Sequence, residues 1–275
     1  MVYSERMQMV DALIFGIVNG LTKFLPLSTA GHLALLQQWL TIDDINRLAF
    51  EASLHLMTAL LVIIYFWTDI WTLSQAILRK LGRLPVNSRE LTLFYALVLG
   101  AIPGIAATIL LDLYIHEIEI PNVMIAGTLF LSALFLMYVE WRYYIRPTHE
   151  GVTAKRGWMV GLFQVLSLIP GFPRTGATVA GGMLVGMSRY EAARFSYLLL
   201  IPISLTVGAQ KMIQLIKVNG SVAWGTVGVG VLIATILSFI SLHFFLGYLK
   251  RGTLWPFIWY GVILAALVAY VTLIS

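Results

Sequence analysis

NGLTKFLPLSTAGHL (Asn19–Leu33) places an asparagine, a lysine, a histidine, three hydroxyls and a helix-breaking proline inside an otherwise apolar N-terminal region. The surrounding chain makes that unusual. Of its 275 residues 59% are hydrophobic and 11% charged, and the mean hydropathy is +0.87. A soluble domain would carry about 25% charged residues. Apolar runs cover about 50–68, 91–111, 122–140, 195–215, 222–247 and 254–274. Each is long enough to cross a bilayer, which takes roughly 20 residues. Lipid-exposed backbone must satisfy its own hydrogen bonds, so the choice is helices or a closed barrel, and uniformly apolar runs lack the alternation of a barrel. The chain reads as an all-α polytopic membrane protein, a single integral membrane domain over 1–275. It has six transmembrane helices and two re-entrant helix–loop–helix segments.

Those two segments are 8–40, broken at Pro26, and 155–188, broken at Pro170, Gly171 and Pro173. Each runs apolar, then polar and helix-breaking, then apolar again. They also resemble one another. GIVNGLTKFLPLSTAGHL starts at Gly16 and GLFQVLSLIPGFPRTGAT starts at Gly161, 145 residues later. The same offset separates Gly31 from Gly176, and Asn19 and Gln164 each lie three residues after the first glycine. An odd number of spans separates the segments, so the halves, about 8–140 and 155–274, are expected to be an inverted-topology repeat. Broken helices meeting near the midplane are how such repeats build binding sites.

Charge sets the sides. Loop 69–90 carries Arg79, Lys80, Arg83 and Arg89; loop 141–156 carries Arg142, Arg146, Lys155 and Arg156; Lys250 and Arg251 mark a third. Loop 112–121 carries Asp112, Glu117 and Glu119 and no lysine or arginine. The positive-inside rule places the first three in the cytoplasm, and 112–121 and both termini outside. Lys211 and Lys217 fall on the outer side, against the rule. The net charge of +5 belongs to these loops and does not imply nucleic acid. There is no cysteine, hence no disulfide or thiol chemistry. The start, MVYSERMQMVDALIFGIVNG, lacks a basic leader and a small-residue cleavage site, and predicts no cleaved signal. The tryptophans lie near span ends, as interface belts do, and no nucleotide, zinc or nucleophile-elbow motif is present.

If the two hairpins face each other, Ser28, Thr29 and His32 share a cavity with Arg174, Thr175 and Thr178. Arg174 is the sharpest residue, because an intramembrane arginine has a partner or a ligand and its guanidinium fork suits phosphate. Gly176–Ala177–Thr178 can open a helix whose free N–H groups face an anion. The plain alternative is an arginine that snorkels to the surface. His32 is a candidate acid–base group, or it caps or packs. Asn19 and Lys23 share a helix face, with Lys23 either functional at depth or reaching water from a shallow segment. Glu51 shares a face with His55 and is a candidate partner for Arg174 or Lys23, a candidate metal ligand, or an interfacial residue.

At these residues the chain resembles the bacterial undecaprenyl pyrophosphate phosphatases, also called bacitracin-resistance proteins. The resemblance runs over nearly the whole chain. It rests on GLTKFLPLSTAGHL, FEASLHLMTALLVIIYFW and PGFPRTGATVAGGMLVGMSRYEAARFSYLLLIP. It implies an interdigitated inverted repeat, and removal of the terminal phosphate from undecaprenyl diphosphate outside the plasma membrane, which recycles the lipid carrier of peptidoglycan synthesis. The family's first motif reads like E-G-L-T-E-F-L-P-x-S-S-x-G-H; here Asn19 and Lys23 stand where its glutamates are, and Thr29 replaces the second serine. Its second motif reads P-G-x-S-R-S-G-x-T; here Pro173 and Thr175 replace the serines. Ser28, Gly31, His32, Glu51, Gly171, Arg174, Gly176 and Thr178 match, with Ser188 and Arg189 behind them.

The resemblance implies Mg²⁺ or Ca²⁺ on the glutamate pair. With Asn19 and Lys23 there instead, no metal cofactor is expected, and the Lys23 ammonium takes the metal's place against phosphate. In this reading Asn19, Lys23, Ser28, Arg174, Thr175, Gly176 and Thr178 bind phosphate. Thr29 or His32 attacks, His32 is the base available to Thr29, and Glu51 orients His32 or Lys23. Three functions compete: a polyprenyl-diphosphate phosphatase with an altered site; a member that binds or flips polyprenyl phosphate without hydrolysis, favoured by the missing glutamates; and an enzyme for another lipid phosphate. The expected partners are a polyprenyl diphosphate or phosphate and the membrane, with a homodimer compatible and no nucleic acid.

Overall fold

The computed structural model describes residues 8–36, 40, 42–114, 121–218 and 220–274. Among them lie eleven α-helices and no strand. Six are long and apolar enough to span a membrane: α3 (Asp44–Tyr65), α5 (Ser88–Tyr114), α6 (Asn122–Ile145), α9 (Arg189–Lys217), α10 (Trp224–Leu249) and α11 (Trp255–Ile274). Each covers most of one of the apolar runs expected from the sequence, though α3 stops at Tyr65, short of the end of the 50–68 run, and the protein is a multi-pass membrane protein. The helices α5 and α9 outrun their runs at both ends because polar ends continue the helix past the greasy centre. At the start of α9, Ser188 accepts the Glu191 N–H and Glu191 accepts the Ser188 N–H in return, a capping box that starts the helix well before its apolar part.

The remaining helices are too short to cross. α1 (Met9–Thr22) and α2 (Thr29–Leu36) have 14 and 8 residues, and α7 (Ala154–Val165) and α8 (Arg174–Leu184) have 12 and 11. Each pair is joined through a proline-bearing break, 23–28 in one and 166–173 in the other. The α8 helix opens at Arg174 rather than at Gly176, because Pro173 supplies the extended N-cap and its carbonyl takes the Ala177 N–H. Gly171, at φ +95°, makes the turn that only glycine accommodates.

One expectation is corrected. Most of 69–90 is not loop: α4 (Trp67–Leu81) follows α3 directly. No glycine or proline interrupts it before Gly82, and it buries only Leu73 and Ala76 while its basic end stays exposed. A half-polar helix leaves no long apolar run; its signal is the helical spacing of Trp67, Ile70, Trp71, Ile77, Leu78 and Leu81. Asp112 lies in α5; Glu117 and Glu119 lie outside the described residues.

The short helices are held by glycine-lined crossings. α1 packs on α10 where Gly16 and Gly20 meet Gly230 and Ala234; a Cβ at Gly20 would stand 2.7 Å from the Ala234 carbonyl oxygen. α7 packs on α5 where Gly157 and Gly161 meet Ala96 and Gly100; a Cβ at Gly100 would stand 2.7 Å from the Gly157 carbonyl oxygen. Small residues four apart let backbones approach, which is what drives packing where no water is expelled. α3 lies along α9 and α6 along α11, while α2 rests on α11 as α8 rests on α6.

The irregular backbone between α1 and α2 finds its partners in other elements. The Lys23 carbonyl accepts the Thr175 hydroxyl (3.1 Å), and the Phe24 carbonyl accepts the hydroxyl of Tyr197, which is wholly buried (2.6 Å). Across the molecule, the Pro170 carbonyl accepts the Thr128 hydroxyl. Unpaired carbonyls in an apolar interior would cost several kcal/mol each, so these bonds fix where the two breaks sit.

Candidate functional site

The two breaks meet. A pocket of about 190 Å³ lies between them, lined by Ser28 and Thr29 at the start of α2 and by Pro173, Arg174 and Thr175 at the start of α8. It adjoins a vestibule of about 640 Å³ whose walls are polar on one side (Asn19, Lys23, Arg47, Glu51) and apolar on the other (Leu33, Leu40, Ile42, Ile125). Lys23, Thr29, Ala30 and His55 line both and form the neck between them.

Charge and unfilled hydrogen-bonding capacity converge on the inner pocket. The first N–H groups of a helix have no intrahelical partner. In α8 the first carbonyl–amide bond runs from Ala177 to Pro173, and in α2 the Ser28 hydroxyl takes only the Gly31 N–H (3.1 Å). Two helix N-termini therefore face one small space. Arg174 has a buried Nη2 with no hydrogen-bond partner, and Lys23 makes no ion pair or side-chain hydrogen bond among the described residues. An unsatisfied buried donor costs about 1–3 kcal/mol, and more when charged. An anion in the pocket removes that cost, because charged donors bind oxyanions more strongly than neutral ones.

The other predicted residues divide. Asn19 is in the vestibule wall, its Nδ2 donating to the Phe15 carbonyl (2.8 Å). Thr175 reaches the pocket but donates its hydroxyl to the Lys23 carbonyl. Gly176 and Thr178 line neither space; Thr178 bonds the Arg174 carbonyl (3.0 Å) and the Ser196 hydroxyl, fastening α8 to α9. Glu51 does not orient His32 or Lys23: its carboxylate takes the Lys211 ammonium (2.6 Å) and lies 3.8 Å from the Arg47 Nε. His32 lines neither space. Its Nδ1 bonds the Ser28 carbonyl (2.7 Å) and its Nε2 the Tyr260 hydroxyl (2.7 Å), so it faces α11 and is not placed to take the Thr29 proton.

Thr29 has its own constraint. The Thr22 hydroxyl donates to the Val18 carbonyl (2.7 Å), so at the 2.7 Å Thr22–Thr29 contact Thr22 accepts and Thr29 donates. Thr29 therefore offers the neck an oxygen lone pair, not a proton.

The sequence reading undervalued His55 and Lys211. His55 was legible only as a companion of Glu51 one turn on. Lys211 is 160 residues from Glu51, and no local pattern joins them.

The donor set does not fit a divalent cation. Among the described residues Glu51 is the only carboxylate lining either space, and it already carries two cationic neighbours. Lys23 and Arg174 add positive charge where a metal's ligands would stand. Mg²⁺ needs carboxylates with substrate phosphate. What this arrangement can do is hold a phosphate deep and a longer apolar group along the vestibule's greasy wall.

The family model for the bacitracin resistance protein BacA matches residues 12–267. An undecaprenyl-diphosphatase of Marinobacter nauticus is 32% identical, over 95% of this chain and 98% of that protein. Those of Anaeromyxobacter dehalogenans and Moorella thermoacetica are each 35% identical, over 96% of this chain and 91% and 98% of theirs. By both length and identity, the chain belongs to the bacitracin-resistance (BacA) family.

Proposed function

We propose that this chain is an undecaprenyl-diphosphate phosphatase, a phosphoanhydride hydrolase that returns the monophosphate carrier to cell-wall synthesis. The relatives' names support the substrate class. The observation that carries the reading is the placement of Lys23 and the unpartnered Arg174 at the meeting of two helix N-termini, beneath a vestibule with an apolar wall. The terminal phosphate sits in the inner pocket on Arg174, Lys23, Ser28 and the α2 and α8 amides. The second phosphate lies at the neck, and the prenyl chain leaves along Leu33, Leu40 and Ile42. Phosphoryl transfer is mostly positioning and charge stabilisation, and fixed cations supply both.

The two short-helix pairs are re-entrant hairpins of an inverted repeat with halves 8–140 and 155–274. The reciprocal crossings support this: α1 on α10 is answered by α7 on α5, and α2 on α11 by α8 on α6. The vestibule opens beside Leu40, Ile42 and Ile125 near the start of α6, at the end opposite Arg83, Arg146 and Arg251. This supports an opening on the outer side of a bacterial plasma membrane, with both termini on that side.

The loss of the paired carboxylates favours a second reading, a carrier or flippase for polyprenyl phosphate that keeps the anion pocket without hydrolysis. The test is phosphate release from farnesyl and undecaprenyl diphosphate by purified protein, with Mg²⁺, with chelator, and with Arg174→Ala as the blank. The phosphatase reading expects release that persists in chelator and falls at least about a hundredfold in the variant, the scale of losing one oxyanion donor. No release above the blank, with lipid binding retained, overturns it in favour of the carrier.

A further inference from the structure

A site without metal still needs somewhere to put the proton of its nucleophile, and the neck offers few choices. The Lys23 ammonium has no lone pair until it loses a proton. The Thr29 hydroxyl proton is directed to Thr22, and the chain ends on the Val18 carbonyl, which is not a base. The Glu51 carboxylate is held by Lys211 and Arg47. His32 is committed at both nitrogens: a carbonyl at Nδ1 requires Nδ1–H, which leaves Nε2 to accept from Tyr260, outside both spaces. His55 differs. It lines both the vestibule and the inner pocket, its buried Nδ1 has no partner, and Nε2 has none either among the described residues.

We propose that His55 is the general base of the hydrolysis, with Thr29 as the acceptor that orients the attacking water; this rests on the phosphatase reading. Water oxygen bonds to the terminal phosphorus while the bridging P–O bond breaks, and that electron pair leaves on the prenyl monophosphate. One water proton goes to an imidazole nitrogen of His55 and the other stays on the new phosphate. The imidazolium then returns its proton to the departing inorganic phosphate. Atoms and charge balance with water as the only co-substrate.

The experiment compares wild type, His55→Gln and His55→Ala as full-length protein in detergent with chelator present. It reads phosphate release from farnesyl diphosphate, binding of its non-hydrolysable methylene-bridged analogue, and thermal unfolding. General base catalysis contributes about 10²–10⁴-fold, so release is expected to fall by at least ~100-fold in both variants while analogue affinity stays within about threefold. Added imidazole is expected to restore part of the activity of His55→Ala only. Release within threefold of wild type in His55→Gln overturns the proposal and leaves the phosphatase standing. So does a parallel loss of analogue binding or fold, without imidazole rescue, since that is a structural role. Wild-type protein that binds the analogue but releases nothing with chelator overturns this proposal, and one that also releases nothing with Mg²⁺ overturns the phosphatase reading with it.

Discussion

Asn19 and Lys23 decide the chemistry because both stand in the vestibule wall, one turn apart on α1 and its continuation into the break. An amide and an ammonium there leave a cavity dominated by positive charge. Asn19→Glu/Lys23→Glu puts two carboxylates on the same face, the donor number Mg²⁺ uses with substrate phosphate. The expected outcome is phosphate release that chelator abolishes and added Mg²⁺ restores, against chelator-insensitive release by the parent. A double variant whose release ignores chelator means that these positions do not govern the metal. At this scale the sequence was informative wherever a residue's oddity was local. Arg174 and Lys23 are cations in apolar surroundings, and both reach the pocket. His32 was as conspicuous, but whether a histidine caps a turn or faces a cavity depends on α11, more than 200 residues away. His55 was visible only as a companion of Glu51, for the converse reason: nothing near it in sequence marks its Nδ1 as buried without a partner.

The elements were legible in proportion to how much membrane they meet. The six spans are fixed by hydropathy, since about 20 apolar residues with no water to bond must be helical. The short helices were legible as breaks, because Pro26, Pro170 and Pro173 cannot continue a ladder. The helix α4 was not, having neither signal. Helix pairing was hidden too, although its glycines were visible. A Cβ at Gly161 would run into the Gly100 carbonyl, and one at Gly157 into that of Ala96. Gly161→Leu is therefore expected to destabilise by at least the ~1–3 kcal/mol typical of overpacking, read as a lower thermal midpoint in detergent and loss of release at growth temperature. Gly228→Ala, whose Cβ meets nothing within 4 Å, is expected to leave the midpoint unchanged. Equal midpoints for the two would mean that α7 is not seated on α5 in the membrane.

Across the whole molecule the pocket is only as useful as the side on which it opens. In the proposed inverted repeat the break between α1 and α2 and the break between α7 and α8 approach from opposite ends, and the vestibule is lined by residues of the first (Lys23, Thr29). Just past the ends of α4, α6 and α10 stand Arg83, Arg146, Lys250 and Arg251, and Arg189 pairs with Glu140 and Arg194 with Asp69. Arg189 also stacks on Tyr143, 4.3 Å from the ring centre. Lys211 breaks the positive-inside count, and its tie to Glu51 explains why: it lies within α9 and neutralises a carboxylate of the vestibule wall, and is not part of the loop charge that sets orientation. A chain without cysteine makes the orientation directly testable. Ser221→Cys, between α9 and α10, is expected to react with a membrane-impermeant maleimide in intact cells. Ser88→Cys, at the start of α5, is expected to react only after permeabilisation. The reverse pattern would turn the vestibule toward the cytoplasm. The protein would then meet only lipid diphosphate already on the inner leaflet, and recycling at the outer face would have to be done by something else.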